Sequence, residues 1–237
     1  MNIAVINGTP VHGVTHHMKE LFLSQLKGNN SIVEFYPKDL PPFCMGCKNC
    51  FLNGEDKCPH GSSVRAIWNA VLDADLLVFT YPVYALRAPA SIKSLLDHFC
   101  VHWMVHRPDP KIFEKTAVII TNSVGAPNGS AQKDVKTSLL WMGVSNIYCC
   151  GAGMMGDIFV DKMTAKHRDM LAKKMRKLAH KASDIKPRKR KSLKVTMLFS
   201  MCKLQHKMVL KSEPQPSLDN LHYIQHGWIK PCGSPTK

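Results

Sequence analysis

The sequence predicts an α/β fold, a doubly wound five-stranded parallel sheet with helices on both faces and a basic helical appendage at its C-terminal end. Three observations predict it. The chain has 237 residues of which 45% are apolar, enough for one large domain with a sizeable core. Five short runs, at residues 2–7, 32–36, 76–81, 117–121 and 146–151, are β-branched and apolar and have the length of buried strands. Helical patterns at 15–26, 63–74, 90–99, 131–142 and 164–183 follow them in turn, and consecutive parallel strands require such crossovers.

Taken in order, NIAVIN (residues 2–7) opens the alternation and runs into NGTPVHGVTHHM, a turn rich in Gly and Thr that leads straight into the first helix. IVEFY (32–36) is the second strand, and a loop dense in cysteine separates it from the helix at 63–74. LLVFTY (76–81) is the third strand, followed by the segment TYPVYALRAPASIKSLLDHF and the helix at 90–99. AVIIT (117–121) precedes TNSVGAPNGS and the helix at 131–142. NIYCCG (146–151) closes the sheet, with Cys149 and Cys150 read as small buried hydrophobes. The strand order expected for this class is 2-1-3-4-5, with ligand at the carboxyl ends of the strands, where the order reverses. Residues 1–184 form this domain, 185–194 a charged linker, and 195–237 an amphipathic helix with an aromatic tail.

Charge is localised. The net +15 is matched by residues 162–211 alone, which hold 17 Lys and Arg against Asp169 and Asp184. No zinc finger, helix-turn-helix or ribonucleoprotein motif accompanies these cations, which argues against nucleic acid. In VTMLFSMCKLQHKMVLK the apolar residues Met197, Phe199, Met201, Leu204 and Met208 lie among Lys194, Lys203, Lys207 and Lys211. Such a helix suits an anionic membrane surface, its own sheet domain or a second subunit, and packing is the better supported of these for a Met-rich stripe. There is no basic segment leading into an apolar one at the N-terminus and no apolar stretch long enough to span a bilayer, so a cytoplasmic protein is expected.

Three loops at the carboxyl ends of strands carry the chemistry. In the first, Thr9, His12, Gly13, Val14 and Thr15 stand at a helix start, where free N–H groups and the helix dipole favour a phosphate. The spacing fits neither a dinucleotide fingerprint nor a nucleotide-triphosphate loop. A turn with an N-cap would use the same residue types. The second offers Pro82, Val83, Tyr84, Ala85 and Leu86, with backbone amides beside an aromatic ring. The third offers Thr121, Asn122, Ser123 and Gly125.

Together these loops resemble the NAD(P)H-dependent FMN reductase and iron-sulfur flavoprotein family of the flavodoxin-like fold. Pro82-Val83-Tyr84, then Lys93, Asp97 and Phe99, resemble its ring-lining turn and the helix that follows. Thr9, Gly13 and Thr15 resemble its phosphate turn, and the likeness covers residues 1–155 but not the tail. The resemblance implies an FMN-dependent oxidoreductase that takes hydride from NAD(P)H and passes electrons to a quinone, a flavin or a small electrophile. A homo-oligomer is also expected. No side chain is marked as a general acid or base, so no catalytic residue is assigned.

Cys44, Cys47, Cys50 and Cys58 are spaced C-x2-C-x2-C-x7-C. In iron-sulfur flavoproteins a compact motif at this place carries a [4Fe-4S] cluster, and thiolates this dense suit one. Free thiols shaping a loop, a zinc site and a redox pair are the other readings, although the paired knuckles usual for zinc are absent. Two further functions stand beside the oxidoreductase: a cluster-bearing electron carrier, and an interaction protein that binds no flavin. His98, His102 and His106, at i, i+4 and i+8, are expected to share one face of a helix, with solvent exposure the simplest account.

Overall fold

The computed structural model describes residues 1–154, 159–183, 191–213 and 215–231. Five strands, β1 (Asn2–Asn7), β2 (Ser31–Phe35), β3 (Leu76–Pro82), β4 (Thr116–Ser123) and β5 (Asn146–Gly153), form one sheet. Its order is β2-β1-β3-β4-β5 and every pairing is parallel, as predicted.

Alternation along the strands builds the two layers, because successive side chains point to opposite faces. Ile3, Val5, Leu76, Val78, Val118 and Ile120 face α1 (Val14–Leu23) and α6 (Ala165–Ser183), meeting Met18, Phe22, Leu171 and Met175. Ala4, Ile6, Leu77, Phe79, Ala117 and Ile119 face α3 (Gly61–Asp73), α4 (Ala90–His98) and α5 (Gly129–Met142). Central strands therefore bury both faces, which explains their unbroken apolar runs. Edge strands differ: Cys149 on β5 is exposed and Cys150 half-buried, a correction to the buried pair expected from sequence.

Other departures have local causes. Residues 121–123 belong to β4 and not to a loop, because Asn122 and Ser123 pair with Ala152 and Gly153 of β5. A one-turn helix α2 (Asn49–Leu52) lies in the cysteine loop. Gly143, at φ +110, ends α5, and a Cβ there would fall 2.4 Å from the Phe113 ring, so only glycine permits this approach. Helix α4 stops at His98 and a 3-10 turn, Phe99–His102, takes over, so the three histidines do not share one helical face. Nor is the expected solvent exposure found. His98 and His102 are buried, His102 stacks on Trp68 at 3.7 Å, and burial pushes its imidazole pKa down to about 4.

Beyond the sheet, α7 (Leu193–Ser212) and α8 (Leu218–Gln225) build a third core. Val195, Phe199, Cys202, Leu210, Tyr223 and Ile229 pack there with Met104 and Phe113 of the α4–β4 connection and with Trp141 of α5. The described part of the tail is therefore docked on the domain. Most of the charged linker, residues 185–190, lies outside the described residues, as do residues 184 and 232–237.

Candidate functional site

β1, β3 and β4 are neighbours in the sheet, so the segments leaving their carboxyl ends stand side by side. The first is fixed from below. Gly8 donates its N–H to Thr80 O at 2.8 Å, and a Cβ on Gly8 would lie 2.5 Å from Tyr81 Cβ, so this close approach of loop to strand demands glycine. Helix α1 then begins at Val14 with Gly13 as its N-cap, and neither a capping side chain nor an acidic residue occupies its first turn. The N–H groups there are left for an anion, and the dipole favours one. Thr9 orders the turn by accepting from Val11 N at 3.2 Å. His12 is exposed and stacks on His16 at 4.0 Å; Val14 and Thr15 are buried.

This loop is anchored from the side. Asn7 and Lys19 both donate to Glu34 Oε2, at 3.0 and 2.6 Å, and Lys19 is fully buried. Burial opposes the Lys19 charge, but hydrogen bonds from the ammonium to Glu34 and Glu20 outweigh it and hold the group above its ordinary pKa. A carboxylate inside the apolar run IVEFY was the visible signal, since an acid that is even half-buried calls for a partner.

The second segment is a tight reversal. Tyr84 and Arg87 exchange N–H···O bonds of 3.1 and 2.9 Å, and the two residues between them, Ala85 and Leu86, have φ of 48° and 63°. Two left-handed residues make this a type I′ turn, for which Gly or Asn is the usual choice. Ala and Leu here cost roughly 1–2 kcal/mol each. The turn holds Tyr84, 54% exposed, and Leu86, 56% exposed, outward, while Pro82 and Val83 lie at the strand end. Asp134 of α5 holds the strained turn down: it accepts from Ala88 N at 3.1 Å and pairs with Arg87 at 2.6 Å. Nothing in the sequence pointed to Asp134. Because Arg87 is exposed, the hydrogen bond to Ala88 carries most of the anchoring. Asp134→Ala should therefore loosen the turn and weaken binding of the FMN that the family resemblance implies roughly tenfold to a hundredfold, equivalent to about 1.5–3 kcal/mol for a charged hydrogen bond. Fluorescence titration with FMN measures it, and an unchanged dissociation constant would show that the turn takes no part.

In the third segment the side chains of Thr121 and Ser123 are already engaged. Thr121 Oγ1 accepts from Gln132 at 2.8 Å, while Ser123 donates to Ala126 O and accepts from Asn128. Gly125 has φ +80 and turns the chain. Asn122 is different, for its Oδ1 is buried with no partner, as is Thr80 Oγ1 on the adjacent strand. An unsatisfied buried acceptor at a strand end is suited to a ligand donor.

The cysteine loop covers the neighbouring corner. Cys44, Cys47, Cys50 and Cys58 line one largely apolar hollow with His60, His98 and His102. Cys44 and Cys47 are exposed, whereas Cys50 and Cys58 are half-buried. Burial, helped by the nearby Cys58 and Cys44, raises the Cys50 thiol above its usual pKa. His98 donates from Nε2 to Pro42 O at 3.0 Å and burial lowers its pKa, so in the neutral ring Nδ1 is the acceptor, and it faces Cys58 Sγ at 3.9 Å. Among the described residues no three His, Cys, Asp or Glu side chains are gathered as they would be around one metal ion. Arg107 staples the loop to α8 by donating to Cys50 O, Glu55 and Asp219.

A parallel sheet of this order, with an uncapped helix start, a strained aromatic turn and an orphaned acceptor along one edge, defines a flavodoxin-like mononucleotide-binding protein. Residues 1–150 match the sequence model of the NADPH-dependent FMN reductases, and the chain belongs to that family. An iron-sulfur flavoprotein of Archaeoglobus fulgidus is 26% identical over 113 residues, 48% of this chain and 50% of that protein. The match thus spans half the length of this curated relative. Among solved structures, an NAD(P)H:quinone oxidoreductase from Methanothermobacter marburgensis superposes with a TM-score of 0.61 at 16% identity, covering 78% of this chain and 98% of that one. An FMN-dependent NADH-azoreductase from Bacillus anthracis in complex with FMN gives 0.58 at 13% identity, covering 78% and 100%. At such identities these two speak for the fold.

Proposed function

We propose that the protein is an FMN-dependent NAD(P)H oxidoreductase that delivers electrons to a small acceptor such as a quinone, a flavin or another electrophile. The observation that carries this reading is the helix start at Val14, left uncapped and free of acid beside two neighbouring segments that offer an exposed aromatic and an orphaned acceptor. FMN, when bound, supplies the capacity to accept hydride and pass electrons on. The chain does the rest. Thr9, Gly13 and Thr15 hold the phosphate, with backbone N–H groups donating; Tyr84 and Leu86 cover the ring; Asn122 Oδ1 accepts a hydrogen bond from its polar edge. A single anion seat at α1 suits FMN, because the glycine fingerprint for a pyrophosphate is missing. The acceptor named in the quinone reductase and azoreductase neighbours fits this class. A homo-oligomer belongs to the same proposal, and Ile32 and Val33, exposed on edge strand β2, offer it a surface. The test is the visible spectrum of purified protein and its NAD(P)H oxidation with a quinone. Protein that takes up no FMN on titration would overturn the reading.

A second reading, a cluster-bearing electron carrier, is favoured by one observation: four thiols line one hollow. A [4Fe-4S] cube accepts thiolates set further apart than a single ion does, so the ungathered arrangement is compatible with it. Cluster ligation is collective. Cys47→Ala should then remove most of the iron and acid-labile sulfide from anaerobically prepared protein. In a loop of free thiols the same change should cost about 1 kcal/mol and leave FMN content intact. Parent protein with full FMN and no iron would sink this reading alone.

A further inference from the structure

Helix α7 is apolar on two opposite sides. Its inner side, Val195, Phe199, Cys202, His206 and Leu210, is buried against the domain. Its outer crest is Met197, Met201, Leu204 and Met208, which recur at steps of four, three and four residues and so fall in one line along the helix. Their exposures are 59, 58, 60 and 61%, and Leu193, at 91%, extends the line at the amino end. Packing within the chain accounts for the inner side only. Surface methionines and leucines in a continuous row mark a contact surface.

Charge selects the partner. Lys194, Lys207 and Lys211 are exposed along the helix, and no Asp or Glu occurs between Leu193 and Ser212. Lys191, just before the helix, is engaged over the Phe113 and Phe199 rings at 4.0 and 4.1 Å and takes no part. We propose that this crest docks the protein on an anionic lipid bilayer, with Met197, Met201, Leu204 and Met208 entering the boundary between headgroups and acyl chains and the lysines meeting acidic headgroups. Methionine, unbranched and flexible, suits a fluid surface. Crest-to-crest pairing with a second copy would oppose lysines to lysines with no acid between them. It would also offer five apolar residues a side where stable protein interfaces use roughly 20–30 residues. No helix among the described residues is long and apolar enough to span the bilayer, so the contact is a surface one. The inner side stays docked throughout, and no unfolding of the tail is required.

The test is flotation of the full chain with vesicles of equimolar phosphatidylserine and phosphatidylcholine, and with phosphatidylcholine alone. Binding is expected to the first and not to the second. The quadruple variant M197S/M201S/L204S/M208S keeps every charge and alters exposed positions only, so an unchanged near-ultraviolet circular dichroism spectrum certifies its fold. Its partition should fall roughly tenfold or more. K194Q/K207Q/K211Q should lose roughly a hundredfold at low salt, from about 1 kcal/mol for each cation. In Met201→Trp the new indole should shift its emission to the blue on anionic vesicles and be quenched by brominated acyl chains. Equal binding to both vesicles, or none to either, overturns the proposal. So does a quadruple variant that binds like the parent, which would reduce the effect to unspecific attraction by a basic chain. A parent dimer that the quadruple variant dissociates, without vesicle binding in either, would assign the crest to a second copy instead.

Discussion

Thr15→Glu is expected to strip FMN from the protein, lowering its affinity by roughly a thousandfold or more. The substitution sets a carboxylate in the first turn of α1, where the structure leaves the N–H groups uncapped and where the proposed function seats the phosphate. Two anions about 4 Å apart at a partly solvated site repel by about 4 kcal/mol, and 1.4 kcal/mol corresponds to a factor of ten. The helix itself does not object to the charge, since an acid near its N-terminus is favoured by the dipole. Burial of Thr15 is the competing cause of damage, because the larger side chain must find room where only 5% of the residue is exposed. Thr15→Val separates the two. It keeps the volume, loses one donor and should weaken FMN by only about tenfold, the scale of a single hydrogen bond. Isothermal titration of both variants with FMN, alongside thermal unfolding of the apoprotein, reads binding and folding independently. A Thr15→Glu protein that retains stoichiometric FMN would remove the phosphate from this helix.

The turn that starts α1 was legible because its signal is local. Gly and Thr at a strand-to-helix turn can be read in sequence, and the structure adds why Gly8 must be Gly, the 2.5 Å approach to Tyr81. Strands were legible for a related reason: β1, β3 and β4 bury both faces and so appear as unbroken apolar runs. What escaped were ends and ties. The reach of β4 to Ser123 is set by pairing with β5, which no propensity records. Helix α2 has four residues and too little length for any periodicity. Helix α8 is held by a Ser217 cap and by tertiary partners, with Asn220 bonded to His206 at 2.7 Å. Asp134 lies 46 residues from Ala88, and Arg107 112 residues from Asp219, so neither pairing leaves a trace in local spacing. The histidine row misled because its regular spacing assumed a helix that ends at its first member.

Arg107→Ala should be the most damaging single change outside the sheet. The side chain is 6% exposed and ties two separate parts of the chain through three groups: Glu55 at 2.8 Å and the Cys50 carbonyl, both in the cysteine loop, and Asp219 of α8. Its three arms are unequal. Glu55 has a side chain 44% exposed, and solvent screens that pair to about 1 kcal/mol or less. Asp219 has a side chain only 20% exposed, and without Arg107 it keeps His106, 2.7 Å away, as its one basic neighbour. Removing one member of a fully buried pair costs about 3–5 kcal/mol, and for the half-buried Asp219 a cost near the lower end is expected, still a large share of the roughly 5–15 kcal/mol that holds a domain together. Arg107→Lys should recover little, since a lysine ammonium cannot fork between a carboxylate and a carbonyl. The expected result is a lower urea midpoint with tail and cysteine loop loosened together, seen as faster proteolysis in residues 44–58 and in α8. A double-mutant cycle with Asp219→Ala apportions the arms, and coupling of about 1 kcal/mol or more is expected between groups in direct contact. If Arg107→Ala costs less than about 1 kcal/mol, the tail is held by the apolar contacts of Phe199, Tyr223 and Ile229 alone. In that case α8 and the cysteine loop should be cleaved independently.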